Sequence, residues 1–219
     1  MQVEIWSDVV CPWCYIGKRR LEAALDRFEH ADEVEVTWRS FELQPDSPAV
    51  PEGTMVDRMA ARFGTTPDAA AARLAEMDRT AADAGLTFRL ADTRGGNTFT
   101  AHRLLHLARR SGHGGALKEA FLQANFVDTE AIGDPDVLRR IAVSVGLEPA
   151  DVDEVLAGDR YAEDVRAEEA EAGRLGANGV PFFVFDRALA VPGAQGSDVF
   201  LQVLEEAWAR SHPEVTVGE

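Results

Sequence analysis

The chain opens on a mostly apolar run, Val3-Glu4-Ile5-Trp6-Ser7-Asp8-Val9-Val10, and passes within a few residues into Tyr15-Ile16-Gly17-Lys18-Arg19-Arg20-Leu21-Glu22. The first run predicts a β-strand and the second a helix. Apolar and polar residues then alternate along Val34-Glu35-Val36-Thr37-Trp38-Arg39-Ser40-Phe41, which predicts a second strand and completes a βαβ unit. A turn-rich stretch from Gln44-Pro45-Asp46-Ser47-Pro48 to Pro51-Glu52-Gly53 ends it.

From about Thr54 to about Gly176 the period changes, and nearly everything reads as helix. Met55, Met59 and Phe63 recur at every fourth position, Pro67 opens an Ala-rich helix carrying Leu74 and Met77, and another helix starts near Asn97 with Phe99, Leu104, Leu105 and Ala108. Further helices are predicted over Leu117 to Phe126, Pro135 to Val145, Pro149 to Leu156 and Ala162 to Leu175, with Asp134-Pro135 and Glu148-Pro149 as starts. Strands then return. Val180-Pro181-Phe182-Phe183-Val184-Phe185 is a short apolar run, Ala188-Leu189-Ala190-Val191 is its candidate hairpin partner, and a last amphipathic helix covers about Ser197 to Ala209. The outer β-α-β and β-β-α segments are too short to fold apart. They predict an α/β fold in which residues 1–50 and 177–219 form one small domain and residues 51–176 form an all-helical domain inserted in it.

Charge narrows the partners. Asp and Glu number 38 against 22 Lys and Arg, a formal net charge of -16, so nucleic-acid backbones and anionic membrane surfaces are repelled and neither is expected as a partner. The N-terminus enters strand residues without a basic region followed by an apolar one, and no stretch approaches the ~20 apolar residues of a membrane span. A cytoplasmic location is therefore expected. In that compartment structural disulfides do not persist, which favours catalysis or metal binding for any cysteine pair.

The chain has only two cysteines, in Cys11-Pro12-Trp13-Cys14. Pro12 suits the first turn of a helix, where its missing N–H has no intrahelical partner to lose. Cys11 then falls at the N-cap, where free backbone N–H groups and the helix dipole are expected to lower a thiol pKa from about 8.5 to roughly 3.5–7.5. Cys11 is the expected nucleophile and Cys14, one turn on, the thiol that resolves a mixed disulfide. The competing reading is zinc, since His102 and His106 stand i,i+4 on one predicted helix and complete a formal Cys2His2 set; structural zinc modules keep their halves closer in sequence. Trp13 is expected at the surface of the site, with Trp6 and Trp38 in the core. His102 reads either as a cleft residue that assists a leaving thiolate or as a hydrogen-bonded helix residue. Asn97 reads as a helix N-cap after the Gly95-Gly96 turn. Asp8 either influences the thiol or closes the strand.

Three separated motifs carry a resemblance: Ser7-Asp8-Val9-Val10-Cys11-Pro12-Trp13-Cys14-Tyr15-Ile16-Gly17, Asn97-Thr98-Phe99-Thr100-Ala101-His102-Arg103-Leu104 and Gly179-Val180-Pro181-Phe182-Phe183. Together they resemble the DsbA-like thioredoxin superfamily, in particular its FrnE-type cytoplasmic branch, with 2-hydroxychromene-2-carboxylate isomerases and kappa-class glutathione transferases as relatives. The resemblance implies a thioredoxin-like domain with an inserted helical domain. It also implies a redox-active Cys11/Cys14 pair without bound cofactor or metal, and a Val180-Pro181 cis-proline loop that faces the pair and receives an extended substrate backbone. The isomerase and transferase relatives have a serine where this chain has Cys11, so both cysteines point to thiol-disulfide exchange on protein or small-molecule partners, with glutathione a further substrate or reductant. A glutathione-dependent isomerase or transferase and a noncatalytic binding module remain as alternatives.

Overall fold

The computed structural model describes residues 1–213; residues 214–219, the end of the last predicted segment, lie outside the described residues. The N-terminal unit forms as β1 (Gln2–Ser7), α1 (Pro12–Leu25) and β2 (Glu35–Ser40), and the C-terminal one as β3 (Phe182–Phe185), β4 (Leu189–Pro192) and α9 (Ser197–Ser211). The sheet order is β2-β1-β3-β4. β1 and β2 run parallel from Gln2↔Glu35 to Ser7↔Ser40, β3 is antiparallel to β1 with Ile5 opposite Phe183, and β4 is antiparallel to β3 with Phe183 opposite Val191.

The two central strands are covered on both faces, which is why they read as apolar runs rather than strict alternations. Val3 and Ile5 join Phe183 and Phe185 beneath Leu21 of α1 and Phe200 and Leu204 of α9. Trp6, Phe182 and Val184 face the other way, against Ala172. That residue lies on α8 (Ala162–Arg174), the last of seven helices between the two sheet-forming segments. The others are α2 (Met55–Phe63), α3 (Pro67–Asp83), α4 (Phe99–Arg110), α5 (Gly114–Phe126), α6 (Pro135–Ser144) and α7 (Pro149–Ala157). Their main core gathers Leu104 and Ala108 of α4, Leu117 and Phe121 of α5, Leu138 and Ile141 of α6 and Val152 and Val155 of α7. A second cluster sets Tyr15 and Ile16 of α1 against Leu74 of α3 and Phe126 of α5, so the helices bear directly on the helix that starts at the cysteines. Among the described residues no helix is long and apolar enough to cross a membrane.

Among the boundaries that differ from the sequence pattern, three have a local cause. β1 stops at Ser7, because Asp8 turns its carboxylate aside to accept the Leu43 N–H at 2.8 Å, and Asp8-Val9-Val10 becomes the turn into α1. α5 begins at Gly114 rather than Leu117; its N-cap His113 makes no side-chain capping bond, so no capping signal marks that start in the sequence. β4 begins at Leu189, since Asp186 and Arg187 take positive φ to close the hairpin and Ala188 stays in the turn.

One buried carboxylate fastens α8 to the sheet and to α4. Glu168 accepts the Ser40 N–H at 2.7 Å, Arg39 Nη1 at 2.8 Å and Arg109 Nη1 at 2.8 Å, and lies 3.2 Å from His106 Nε2. Its backbone carbonyl accepts the indole N–H of Trp6 at 2.8 Å. Burial alone would push this carboxyl upward, but the hydrogen bonds and charges of His106, Arg39 and Arg109 outweigh it and hold the pKa far below the ordinary range. A carboxyl depressed in the folded state stabilises the fold above its unfolded pKa of about 4.3 and loses that contribution as pH falls. Glu168→Gln is expected to lower unfolding stability by about 2–3 kcal/mol at pH 7. In urea titrations the gap between variant and parent narrows as pH falls from 5 to 3; a gap of constant size would show that the charge of Glu168 is not what holds α8.

Candidate active site

Cys11 occupies the N-cap of α1 with extended backbone, φ −93° and ψ 113°, and Pro12 follows at the first helical position. The expected capping bonds to its sulfur are not made. Pro12 brings no N–H, and the Cys14 N–H donates to the Cys11 carbonyl at 3.0 Å. The Cys11 S–H donates to the Val180 carbonyl at 3.5 Å. Both thiols are free, and exposure is 3% for Cys11 and 1% for Cys14. Cys11 lines the cleft described below and Cys14 does not, so a substrate sulfur reaches Cys11 first.

The expectation of a low Cys11 pKa is therefore corrected. The hydrogen bond with Cys14, reinforced by burial, holds the Cys11 thiol well above its usual value. Burial pushes Cys14 upward too, but the neighbouring Cys11 thiol and the Lys118 ammonium outweigh it and bring Cys14 below the usual value. Of the two thiols, the inner one is thus the more readily ionised.

Behind the thiols lies a set of buried charges that the hydropathy pattern did not announce. Lys118 of α5 is fully buried, donates from Nζ to the Ser7 carbonyl at 3.3 Å and lies 5.5 Å from the centre of the Trp38 ring. Burial pushes its pKa down, and the neighbouring Cys14 and Asp8 oppose that. Asp8 is equally buried, with Oδ1 3.4 Å from His102 Nε2. Burial raises its carboxyl, but His102, the Leu43 N–H and Lys118 outweigh burial and leave it below the ordinary carboxylate value. A signal for Lys118 existed: helical spacing from Leu117, Phe121 and Leu122 puts it on an apolar face, where a lysine without a purpose is costly.

The cleft in front of Cys11 has a volume of about 980 Å³. Pro12, Trp13 and Val180 line it beside the sulfur, and Trp13, 39% exposed, stands at its surface. The Val180–Pro181 peptide bond is cis, and Pro181 packs on Gly17 of α1, where a Cβ would come within 3.2 Å of the proline ring. A second wall is the loop from Leu43 to Pro48. Asn97 holds that wall: its Nδ2 donates to the Pro45 carbonyl at 2.8 Å, its backbone N–H to the Pro48 carbonyl at 3.0 Å, and its Oδ1 accepts from Phe99 N at 3.0 Å at the start of α4. Gly96 makes the approach feasible, with φ +130° and a Cβ position only 2.1 Å from the Ala49 carbonyl oxygen.

His102 does not reach the cleft. It is fully buried beside Asp8, and neither ring nitrogen makes a hydrogen bond, so the cleft reading fails and the satisfied-helix reading also needs amendment. His106 turns to Glu168 and to the Ser40 hydroxyl at 3.1 Å, so the two histidines and the two cysteines are not brought together. Among the described residues no group of three or more His, Cys, Asp and Glu side chains is placed to hold a metal. Asn125, unremarked in the sequence, lines the cleft and donates to the Val9 carbonyl at 3.4 Å.

Residues 2–205 match the DSBA-like thioredoxin domain family. A solved structure of a probable DsbA oxidoreductase from Streptomyces coelicolor superposes with TM-score 0.92 at 45% identity, covering 99% of this chain and 94% of that one. The cytosolic disulfide reductase DsbM from Pseudomonas aeruginosa shares the fold, with TM-score 0.65 at 19% identity over 97% of this chain and 100% of its own. The uncharacterized protein YwbO of Bacillus subtilis (strain 168) is 27% identical over 209 residues, 94% of this chain and 96% of YwbO.

Lys118→Met keeps the buried stem and removes the charge behind Cys14. The thiolate absorbance near 240 nm should then titrate about one pH unit higher than in the parent. An unchanged midpoint would mean that the ammonium does not act on the sulfur.

Proposed function

We propose that this chain, which belongs to the DSBA-like thioredoxin domain family, is a thiol-disulfide oxidoreductase in which Cys11 attacks and Cys14 resolves. The observation that carries the reading is the asymmetry of the pair: one thiol on a large cleft beside Val180-Pro181, the other turned inward against Lys118 and Ser7. An inert buried pair needs neither the cleft nor the buried ammonium.

The exchange runs in two displacements. As the Cys11 sulfur attacks a substrate disulfide, its proton passes to the adjacent Cys14 thiolate; the Cys11–substrate S–S bond forms, the substrate S–S bond breaks, and the first substrate thiolate leaves. That leaving group takes a proton from Cys14. The Cys14 thiolate then attacks Cys11, the mixed disulfide breaks, and the second substrate thiolate departs to be protonated by solvent. Two electrons have passed from the protein dithiol to the substrate; the reverse sequence oxidises a substrate dithiol. Cys14 thus serves as local base before it serves as nucleophile, which accommodates a Cys11 that rests protonated.

The proposed substrates are protein or small-molecule thiols and disulfides, glutathione included; the Pseudomonas reductase has also been solved with GSH. No bound cofactor is called for, since the electrons travel in the sulfurs. The fold of 2-hydroxychromene-2-carboxylate isomerase is shared at only 14% identity, and a glutathione-dependent isomerization leaves the inner thiol and Lys118 without a task. We read residues 1–50 and 177–219 as the thioredoxin-like domain, 51–176 as the inserted helical one, and the cytoplasm as the compartment.

Cys14→Ser should accumulate a stable mixed disulfide on Cys11 with a peptide disulfide, visible as a mass adduct that dithiothreitol releases. Cys11→Ser should form no adduct and lose turnover by at least about 10³-fold. Adducts forming on Cys14 instead would reverse the roles.

A further inference from the structure

The cleft carries a charge opposite to that of the molecule around it. In a chain of net charge -16, its ionisable lining residues besides Cys11 are Arg58, Arg62 and Arg73 against one carboxylate, Asp46. Several arginines elsewhere are matched to carboxylates, as Arg39 is to Glu4 and Glu168, and Arg166 to Glu42 and Glu169. In the cleft they are not. Arg58 donates to the carbonyls of Gly53 at 2.7 Å and Arg94 at 2.9 Å, and among the described residues neither Arg62 nor Arg73 has a carboxylate within ion-pair distance. Arg62 stands over the ring of Phe63 at 5.8 Å, and Phe63 is itself 57% exposed.

The apolar side of the cleft is equally directed. Met55 and Met59 precede Arg58 and Arg62 on α2 at helical spacing, Met77 of α3 joins them, and thioethers adapt to varied apolar shapes. At about 980 Å³ the cleft lies at the top of the roughly 300–1,000 Å³ range of small-molecule pockets. A short thiol leaves most of it empty.

Resting on the oxidoreductase reading, we propose that the cleft selects cysteine-containing peptide disulfides that carry an acidic and an apolar side chain next to the reacting cysteine. The carboxylate pairs with Arg62 and Arg73, which lack such a partner, the apolar side chain lies on Phe63 and the methionines, and the cysteine sulfur meets Cys11 beside Trp13.

The test mixes the reduced protein with three quenched fluorogenic disulfide peptides that differ only at the residue beside a Phe-Cys pair, Glu, Gln or Lys, at low ionic strength. The Glu peptide is expected to be reduced about tenfold faster, in kcat/KM, than the Gln peptide, and the Lys peptide to be slowest. The Glu-to-Lys ratio should collapse toward one in Arg62→Gln/Arg73→Gln and reverse in Arg62→Glu/Arg73→Glu. Arg79→Gln, an exposed arginine of α3 outside the cleft, should preserve it. Equal rates on the three peptides, or a ratio that survives the double substitution, overturn the selectivity while leaving the oxidoreductase reading intact. Faster reduction of glutathione disulfide, which has carboxylates and no apolar side chain, overturns the peptide commitment. Failure to reduce any of them overturns the oxidoreductase reading and the selectivity with it.

Discussion

Glu168 is the point on which the sheet and the helices agree. Taking a carboxylate out of water is costly, and only several donors in good geometry offset the cost. Here they come from separate parts of the chain: Ser40 and Arg39 at the end of β2, His106 and Arg109 on α4, with Trp6 of β1 holding the backbone of the same residue. Each donor is satisfied only if β2, α4 and α8 are all in place. The cysteines follow β1 and the Val180-Pro181 loop follows α8, so the two sides of the cleft inherit their spacing from this junction. Gly17 completes it, since α1 closes on Pro181 only where no side chain intervenes.

The second organising constraint is the buried charge behind the sulfurs. Lys118 and Asp8 are both fully buried, and neither charge is tolerable there alone. Cys14 belongs to the same set, and the Lys118 ammonium favours its thiolate. Whatever holds that thiolate stabilises the dithiol state over the disulfide, and the reduction potential rises with it. Oxidation removes the negative sulfur and leaves Lys118 to Asp8 and the Ser7 carbonyl. The balance of electron flow is thus tied to a lysine on α5, far in sequence from the cysteines.

Much of the architecture was legible because local signals agreed with tertiary ones. Pro12, Pro135 and Pro149 mark helix starts in the sequence and occupy them in the structure, and β3 is apolar on both faces as its short apolar run implies. The thiol pair and the cleft-lining Pro12, Trp13 and Val180 were likewise readable. What misled was inference from one element at a time. An N-cap ordinarily lowers a cysteine pKa, but the Cys11 thiol is also set by burial, by Cys14 and by the Val180 carbonyl, which comes from a distant loop. His102 lies on the face of α4 turned to Asp8, and Asn97 reaches back to Pro45 across a contact that no periodicity encodes.

The distribution of charge determines how such a cleft could discriminate. The overall field of a protein with excess acid opposes the approach of an acidic peptide, but beyond about 8 Å that field is largely screened at physiological salt. At contact distance the cleft arginines are the nearer charges, and Arg62 stands over the Phe63 ring. Selection of this kind acts on how long a peptide stays rather than on how often it arrives. Residence is what a disulfide exchange needs, because the substrate has to remain while a proton moves from Cys11 to Cys14 and back out with the first leaving thiolate. With the long-range repulsion screened, the local attraction decides, and it holds the peptide whose cysteine has found Cys11.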